Sequence, residues 1–290
     1  MSLLEVITAM SARLDSAGVS FGHGTSNAFD EAAWLVLWRL GLPLDDLDGQ
    51  AHRVLSTEEL AQVLALVEER ISTRQPTAYL TGEAWLQGVP FSIDARAIVP
   101  RSLIAEVLAE GSIDAYLAVD SWRGLDLCTG NGSLAVLAAM AWPHMALDAC
   151  DLSADALAVA KLNVQRHGLA DRIELHLGDG LAAVPGRRYD LILCNPPYVN
   201  RSAMAALPAE FKAEPALALQ GGDDGMDFIR VLMRHVSIHL QKQGLLVLEI
   251  GHERAHFEAA FPALQPVWLT TSAGDEQVLL LTRDAIPLTV

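Results

Sequence analysis

The chain has 290 residues, 51% of them hydrophobic, and carries 20 Lys and Arg against 36 Asp and Glu, a formal net charge of −16. That length is enough for one large domain, a smaller one and a sizeable core. The acidity excludes an autonomous nucleic-acid binder, because neither residues 1–100 nor residues 101–290 are net basic, although an acidic surface can steer a chain toward a basic protein partner.

Cys128, Cys150 and Cys194 lie far apart, without metal-ligand spacing, so no metal site is expected. Their odd number suits a reducing compartment. No basic segment precedes an apolar one at the start, and no apolar run approaches the ~20 residues of a membrane span. A soluble, cytoplasmic chain with no membrane contact is the expectation.

In chain order, residues 3–18, 27–40 and 56–72 repeat apolar side chains at helical spacing. Leu60, Val63, Leu64 and Val67 share one face of the third, and Ser56-Thr57-Glu58-Glu59 supplies its capping start. These helices predict a small N-terminal domain over residues 1–77. The loop Phe21-Gly22-His23-Gly24-Thr25-Ser26-Asn27 joins the first two, and its lone histidine reads as structural more readily than functional. Residues 78–99 alternate like strands around Gly88-Val89-Pro90, which predicts a hairpin linker with arms at 79–86 and 91–99. Val99-Pro100-Arg101-Ser102 then opens a helix to about residue 118, the start of a catalytic domain over 100–290.

From residue 123 strands alternate with helices: strands at 123–128, 146–151, 172–178, 189–194 and 244–250, helices at 133–141, 153–167 and 225–242. This is the pattern of an α/β, doubly wound, mostly parallel sheet. Runs at 265–271 and 277–282 around Ser272-Ala273-Gly274-Asp275-Glu276 close it with an antiparallel hairpin.

Ligands of such sheets bind at the carboxyl ends of the strands. The first strand runs into Leu125-Asp126-Leu127-Cys128-Thr129-Gly130-Asn131-Gly132, whose glycines allow a tight turn and close approach of a ligand. The second ends at Asp151, placed to accept both ribose hydroxyls of a nucleoside. The third ends in Gly178-Asp179-Gly180, where Asp179 can accept from an adenine amino group. These features fit NAD and S-adenosylmethionine equally, and the fourth strand separates them. It ends in Asn195-Pro196-Pro197-Tyr198. Two prolines present carbonyls and no N–H, Asn195 before a proline is held extended, and its side chain adds a carbonyl. Such a nest of acceptors beside an aromatic ring suits a planar –NH2 group, which a methyltransferase needs and a dehydrogenase does not.

With the 126–132 loop upstream, Asn195-Pro196-Pro197-Tyr198 resembles the class I methyltransferases that modify amino groups on planar systems. Nearly the whole chain is similar to the protein-glutamine N5-methyltransferases, a Rossmann-like S-adenosylmethionine-dependent family. One branch acts on release factors, the other on large-subunit ribosomal protein three. Phe21-Gly22-His23-Gly24-Thr25 and Cys128-Thr129-Gly130 resemble the ribosomal-protein branch, whereas the release-factor branch carries glycine in place of Cys128 and proline in place of Ser102. The resemblance implies cofactor contacts from Cys128, Thr129, Gly130, Asn131, Gly132, Asp151, Asp179, Gly180 and Asn195. It implies catalytic roles for Asn195 and Pro196, which would hold the amide N–H groups, and for Tyr198, which would pack on the amide plane. The N-terminal domain would recognise the substrate, either free or in a ribosome-assembly intermediate. Where this chain has Gly180, the release-factor branch often has an aromatic beside the adenine, so that contact is not expected here. The alternatives are a release-factor enzyme, an adenine or cytosine amino methyltransferase of nucleic acid, and a non-catalytic docking module.

Overall fold

The structure, a computed structural model, describes residues 1–118 and 123–287. The helices Leu3–Ser16, Ala28–Arg39 and Thr57–Thr73 lie where periodicity placed them. Ser2 with Glu5 and Ser56 with Glu59 form reciprocal capping boxes at the first and third. Their apolar faces meet in one cluster built on Leu3, Ile7, Leu14, Leu35 and Val67.

The linker is shorter than expected. Residues 79–81 belong to a helical turn, Thr77–Thr81, closed by Gly82 in the left-handed conformation, so strand β1 begins only at Glu83. β1 (Glu83–Leu86) pairs antiparallel with β2 (Val89–Ser92). The turn is Gln87-Gly88, both at positive φ, so Pro90 sits inside the second arm rather than in the break. After Ser92 the chain forms no strand to residue 99. Asn163 clamps the hairpin to the larger domain: its side chain accepts from the Ser92 N–H at 2.7 Å and donates to the Ser92 carbonyl at 3.0 Å.

The main sheet has strands β3 (Arg123–Leu127), β4 (Ala146–Asp151), β5 (Ile173–Leu177), β6 (Tyr189–Cys194), β7 (Leu240–Glu249), β8 (Val267–Thr271) and β9 (Gly274–Thr282), in the order β5-β4-β3-β6-β7-β9-β8. The first five are parallel and β9 runs antiparallel to both neighbours. Helices Ile104–Glu110 and Ser133–Ala141 pack on one face, and helix Asp227–His239 and Phe257 on the other. The chain winds outward from β3 to β5 and then returns to β6, so the switch point lies between the carboxyl ends of β3 and β6.

Three further boundaries differ from expectation: β9 starts at Gly274 and not at 277, so the closing turn is Ser272-Ala273. The helix after Arg101 stops at Glu110 because Gly111 turns left-handed, and only a 3-10 turn, Asp114–Tyr116, follows. The helix expected over 225–242 spans Asp227–His239, and β7 starts directly at Leu240. Helices Arg201–Ala206, Ala209–Lys212 and Arg254–Ala260 are too short to have shown a period.

The segment after Asn195-Pro196-Pro197-Tyr198 ties the N-terminal helices to the sheet. Buried Arg70 reaches Glu31 at 2.7 Å and Glu210 at 3.5 Å, and Glu210 also accepts from Arg74 at 3.2 Å. Glu214 takes a bidentate pair of bonds from Arg101 at 2.7 and 2.6 Å and one from the Val99 N–H at 2.9 Å. His23, 2% exposed, stacks on Phe211 with ring centroids 4.2 Å apart. Its Nε2 lies 3.3 Å from Glu214 Oε2, within ion-pair reach although neither ring nitrogen has hydrogen-bond geometry to a partner. His23 is thus part of the joint.

Burial alone would raise the Glu214 pKa, but His23 and Arg101 pull it down to about 2 from an ordinary 4.5. A depressed carboxylate adds stability above its unfolded pKa and loses it as pH falls toward the folded one. The Glu214 contribution to the urea midpoint should therefore be constant above about pH 5 and fall between about 4.5 and 2, the window read by comparing wild type with a Glu214 variant. Glu214→Gln should lower the plateau and flatten that fall. An equal acid slope in both chains would remove Glu214 from the joint.

Candidate active site

The site grows from the strand tips. At the end of β3, Asp126 is fully buried and its Oδ2 accepts from the Thr129 hydroxyl at 2.5 Å and from the Ala135 N–H at 3.0 Å. These two bonds fold the 128–132 loop back onto the start of helix Ser133–Ala141. Burial pushes the Asp126 pKa up to about 7, and its Oδ1 has no partner among the described residues. Cys128 and Gly130 both take positive φ, a turn that costs a non-glycine residue of order 1 kcal/mol at Cys128. A Cβ on Gly132 would come within 3.0 Å of the Ala160 side chain, so this glycine lets helix Ala154–Arg166 pack beneath the loop.

At the end of β4, Asp151 accepts from the Gly130 N–H at 2.9 Å and the Ser153 N–H at 2.8 Å, one bond to each oxygen. Each oxygen keeps a lone pair, and burial raises the carboxyl pKa, backbone N–H groups offsetting part of the effect. After β5, Asp179 leads into the turn Gly180–Ala183. Phe228, from helix Asp227–His239, lies 3.6 Å from where a Gly180 Cβ would stand.

Two cavities meet at the end of β6. One, of about 160 Å³, is lined by Cys128, Gly130, Asp151, Asp179, Gly180 and Phe228, with Ile98 and Leu217 as apolar walls. The other, of about 430 Å³, is lined by Pro196, Tyr198, Arg101, Phe211 and Glu249. Asn195 lines both. Among the described residues its side-chain amide has no hydrogen-bond partner. The Tyr198 hydroxyl donates to Glu249 at 2.9 Å.

Of the expected cofactor residues, Cys128, Gly130, Asp151, Asp179, Gly180 and Asn195 therefore come together around one cavity. Thr129, Asn131 and Gly132 stand behind it. Thr129 is bonded to Asp126, and Asn131 donates to the Ile98 carbonyl at 2.7 Å while accepting from the Ser133 N–H at 2.9 Å. Reasoning from sequence missed Phe228, which supplies an aromatic wall beside Gly180, and Glu249. The only signal for Glu249 was an acid ending the apolar run Leu245-Leu246-Val247-Leu248.

Elsewhere, Asp148, Glu174 and His176 bring ligand atoms within 4.8 Å of one another. The Arg187 guanidinium already supplies positive charge there, 2.5 Å from Asp148 and 3.0 Å from Glu174. Among the described residues no helix is long and apolar enough to cross a membrane.

Residues 107–247 match the methyltransferase small domain family and residues 5–82 the PrmC N-terminal domain. The ribosomal protein uL3 glutamine methyltransferase of Bordetella pertussis is 51% identical over 288 residues, 98% of this chain and 96% of that one. Its counterparts in Burkholderia pseudomallei and Neisseria gonorrhoeae are 50% and 43% identical, over 95% and 98% of this chain and 92% and 95% of theirs. Among solved structures, the hMettl16 catalytic domain in complex with a MAT2A 3'UTR hairpin superposes with a TM-score of 0.52 at 13% identity, over 96% of this chain and 90% of that one. At that identity the likeness speaks for the class I methyltransferase fold alone.

Proposed function

The chain belongs to the ribosomal protein uL3 glutamine methyltransferase family, and from that premise we propose how its site methylates the side-chain amide nitrogen of a glutamine in large-subunit ribosomal protein three. The observation that carries the reading is Asn195 at the junction of two cavities. The smaller takes S-adenosylmethionine and the larger takes the glutamine.

The residues of the smaller cavity fit that cofactor. Asp151 would hold the two ribose hydroxyls, Asp179 would accept from the adenine amino group and Phe228 with Ile98 would cover the ring, all four residues lining the cavity. Gly130 lines this cavity at a φ of 55°, the left-handed region that favours glycine. When bound, the cofactor supplies an electrophilic methyl group on a sulfonium.

An amide nitrogen is a weak nucleophile because its lone pair is delocalised into the carbonyl. The Asn195 side-chain oxygen and the Pro196 carbonyl each accept one N–H. They orient the nitrogen toward the methyl and stabilise the positive charge that develops on it, as preorganised dipoles do. As the N–C bond forms and the sulfonium S–CH3 bond breaks to a thioether, the nitrogen grows acidic and loses its proton to solvent, so the chain needs no strong general base. Tyr198 walls the amide plane. The N-terminal helices recognise the substrate protein, which is supported by their tie through Glu210 and Glu214 to the segment carrying Phe211 on the substrate-side cavity. A net charge of −16 suits a basic ribosomal protein and disfavours phosphate backbones. Acting on a ribosomal protein, the enzyme works in the cytoplasm.

The test is competition. Unmethylated ribosomal protein three, release factor and particles carrying the unmodified protein are offered together, and modified peptides are read by mass spectrometry. Methylation of ribosomal protein three, free or in particles, in preference to release factor is expected. Modification of release factor alone would overturn the substrate assignment and leave the chemistry standing.

A further inference from the structure

Glu249 is a charged residue where an apolar one is expected. It ends β7, beside β6, with Leu248 paired to Cys194 immediately before Asn195. It is 3% exposed, and a buried carboxylate is costly unless its oxygens are bonded. Three donors satisfy it: the Tyr198 hydroxyl at 2.9 Å on Oε1, and the Ser102 hydroxyl at 2.6 Å and Leu103 N–H at 2.9 Å on Oε2. Burial, with Glu249 adding to it, raises the Tyr198 pKa, so the hydroxyl stays a donor at neutral pH. Glu249 and Tyr198 line the substrate-side cavity together with Asn195 and Pro196.

The residue that Glu249 holds is confined on its other sides by glycines. A Cβ on Gly251 would stand 2.5 Å from Tyr198 Cε2. One on Gly221 would stand 2.7 Å from the Tyr198 Cα, and one on Gly225 would stand 2.3 Å from the Tyr198 carbonyl oxygen. Two loops thus leave space for this residue's backbone and ring in one place, and the bond to Glu249 fixes the ring's outer end.

We propose that Glu249 is a positioning residue for methyl transfer: through the Tyr198 hydroxyl it fixes the ring that walls the glutamine pocket beside Asn195 and Pro196. The proposal rests on the reading of the larger cavity as that pocket. A ring free to tilt lets the amide nitrogen drift from its line with the methyl, and small misplacements are costly to rate. Binding of the protein substrate is spread over a wider surface and is largely kept, so the loss falls on kcat and not on KM.

Kinetics on Glu249→Gln, Tyr198→Phe and the double variant test this, with unmethylated ribosomal protein three as substrate and cofactor affinity read by calorimetry. Tyr198→Phe should lower kcat by about tenfold and Glu249→Gln by less, each with KM within about twofold and cofactor Kd unchanged. The double variant should be no worse than the poorer single, because Tyr198→Phe removes the bond that Glu249→Gln weakens by replacing a carboxylate acceptor with an amide carbonyl. Gly251→Ala, which crowds the ring but leaves the bond partners in place, should also lower kcat. Should Glu249→Gln fail to fold, Tyr198→Phe and Gly251→Ala decide. Wild-type kcat in Tyr198→Phe, or losses that multiply in the double variant, would overturn the proposal. A wild-type enzyme that leaves the substrate glutamine unmethylated would instead overturn the functional reading beneath it.

Discussion

Asn195→Ala should cost about 10²–10³ in kcat, the usual loss on removing one preorganised dipole from a transition state. The residue follows a strand buried everywhere but at Asp190 and is itself followed by two prolines, so the strand tip carries acceptors without competing donors. It lines both cavities. Its bond to the amide N–H strengthens as charge builds on nitrogen, so the loss belongs to the chemical step. Cofactor affinity should fall much less, because Asp151, Asp179 and the glycine loop remain. Asn195→Asp keeps an acceptor but adds a charge whose protonation depends on its surroundings, and partial activity at best is expected. Single-turnover rates separate binding from chemistry. Near wild-type single-turnover rates with weakened cofactor binding would make Asn195 a cofactor clamp and end the acceptor-nest mechanism.

Asp151→Ala should weaken S-adenosylmethionine binding by roughly tenfold to a hundredfold, since hydrogen bonds to a charged group contribute about 1.5–3 kcal/mol. The structure adds a second source for the loss. The same carboxylate accepts from Gly130 and Ser153, so its removal also frees the turn that cradles the cofactor. Asp151→Asn separates the two effects. It keeps one acceptor and should fall between wild type and alanine. Calorimetry showing unchanged affinity in Asp151→Ala would end the assignment of this residue to the ribose.

Much of the architecture was legible because the sheet is buried on both faces. Strands such as β4 and β6 read as mostly apolar runs, broken inside only by Asp148 and Asp190, and their ends fall within a residue of expectation. Boundaries were lost where a left-handed glycine decides them, as at Gly82 and Gly111, since a glycine in sequence does not announce its φ. The site was legible in the same way. Asp151 ends a strand and Asp179 and Asn195 come just after one, and strand ends of a parallel sheet converge. Residues brought in from elsewhere were not legible. Phe228 reads as one apolar position of an amphipathic helix, and only the fold sets it beside Gly180. Thr129 and Asn131 carry side chains that suit a ligand, yet the structure spends them on Asp126 and Ile98. His23 sat in a loop, and nothing local showed that Glu214 and Phe211 would close over it.

The central claim is methyl transfer to an amide nitrogen of protein, and the bond formed can be identified chemically. The enzyme is incubated with methyl-labelled S-adenosylmethionine and a lysate lacking the activity, and the labelled material is hydrolysed in acid. An N-methyl amide of glutamine breaks to glutamate and methylammonium, so once the hydrolysate is made alkaline the label should leave as volatile methylamine from a single protein band, that of ribosomal protein three. Label retained in a non-volatile amino acid, or recovered in nucleobases, would contradict it.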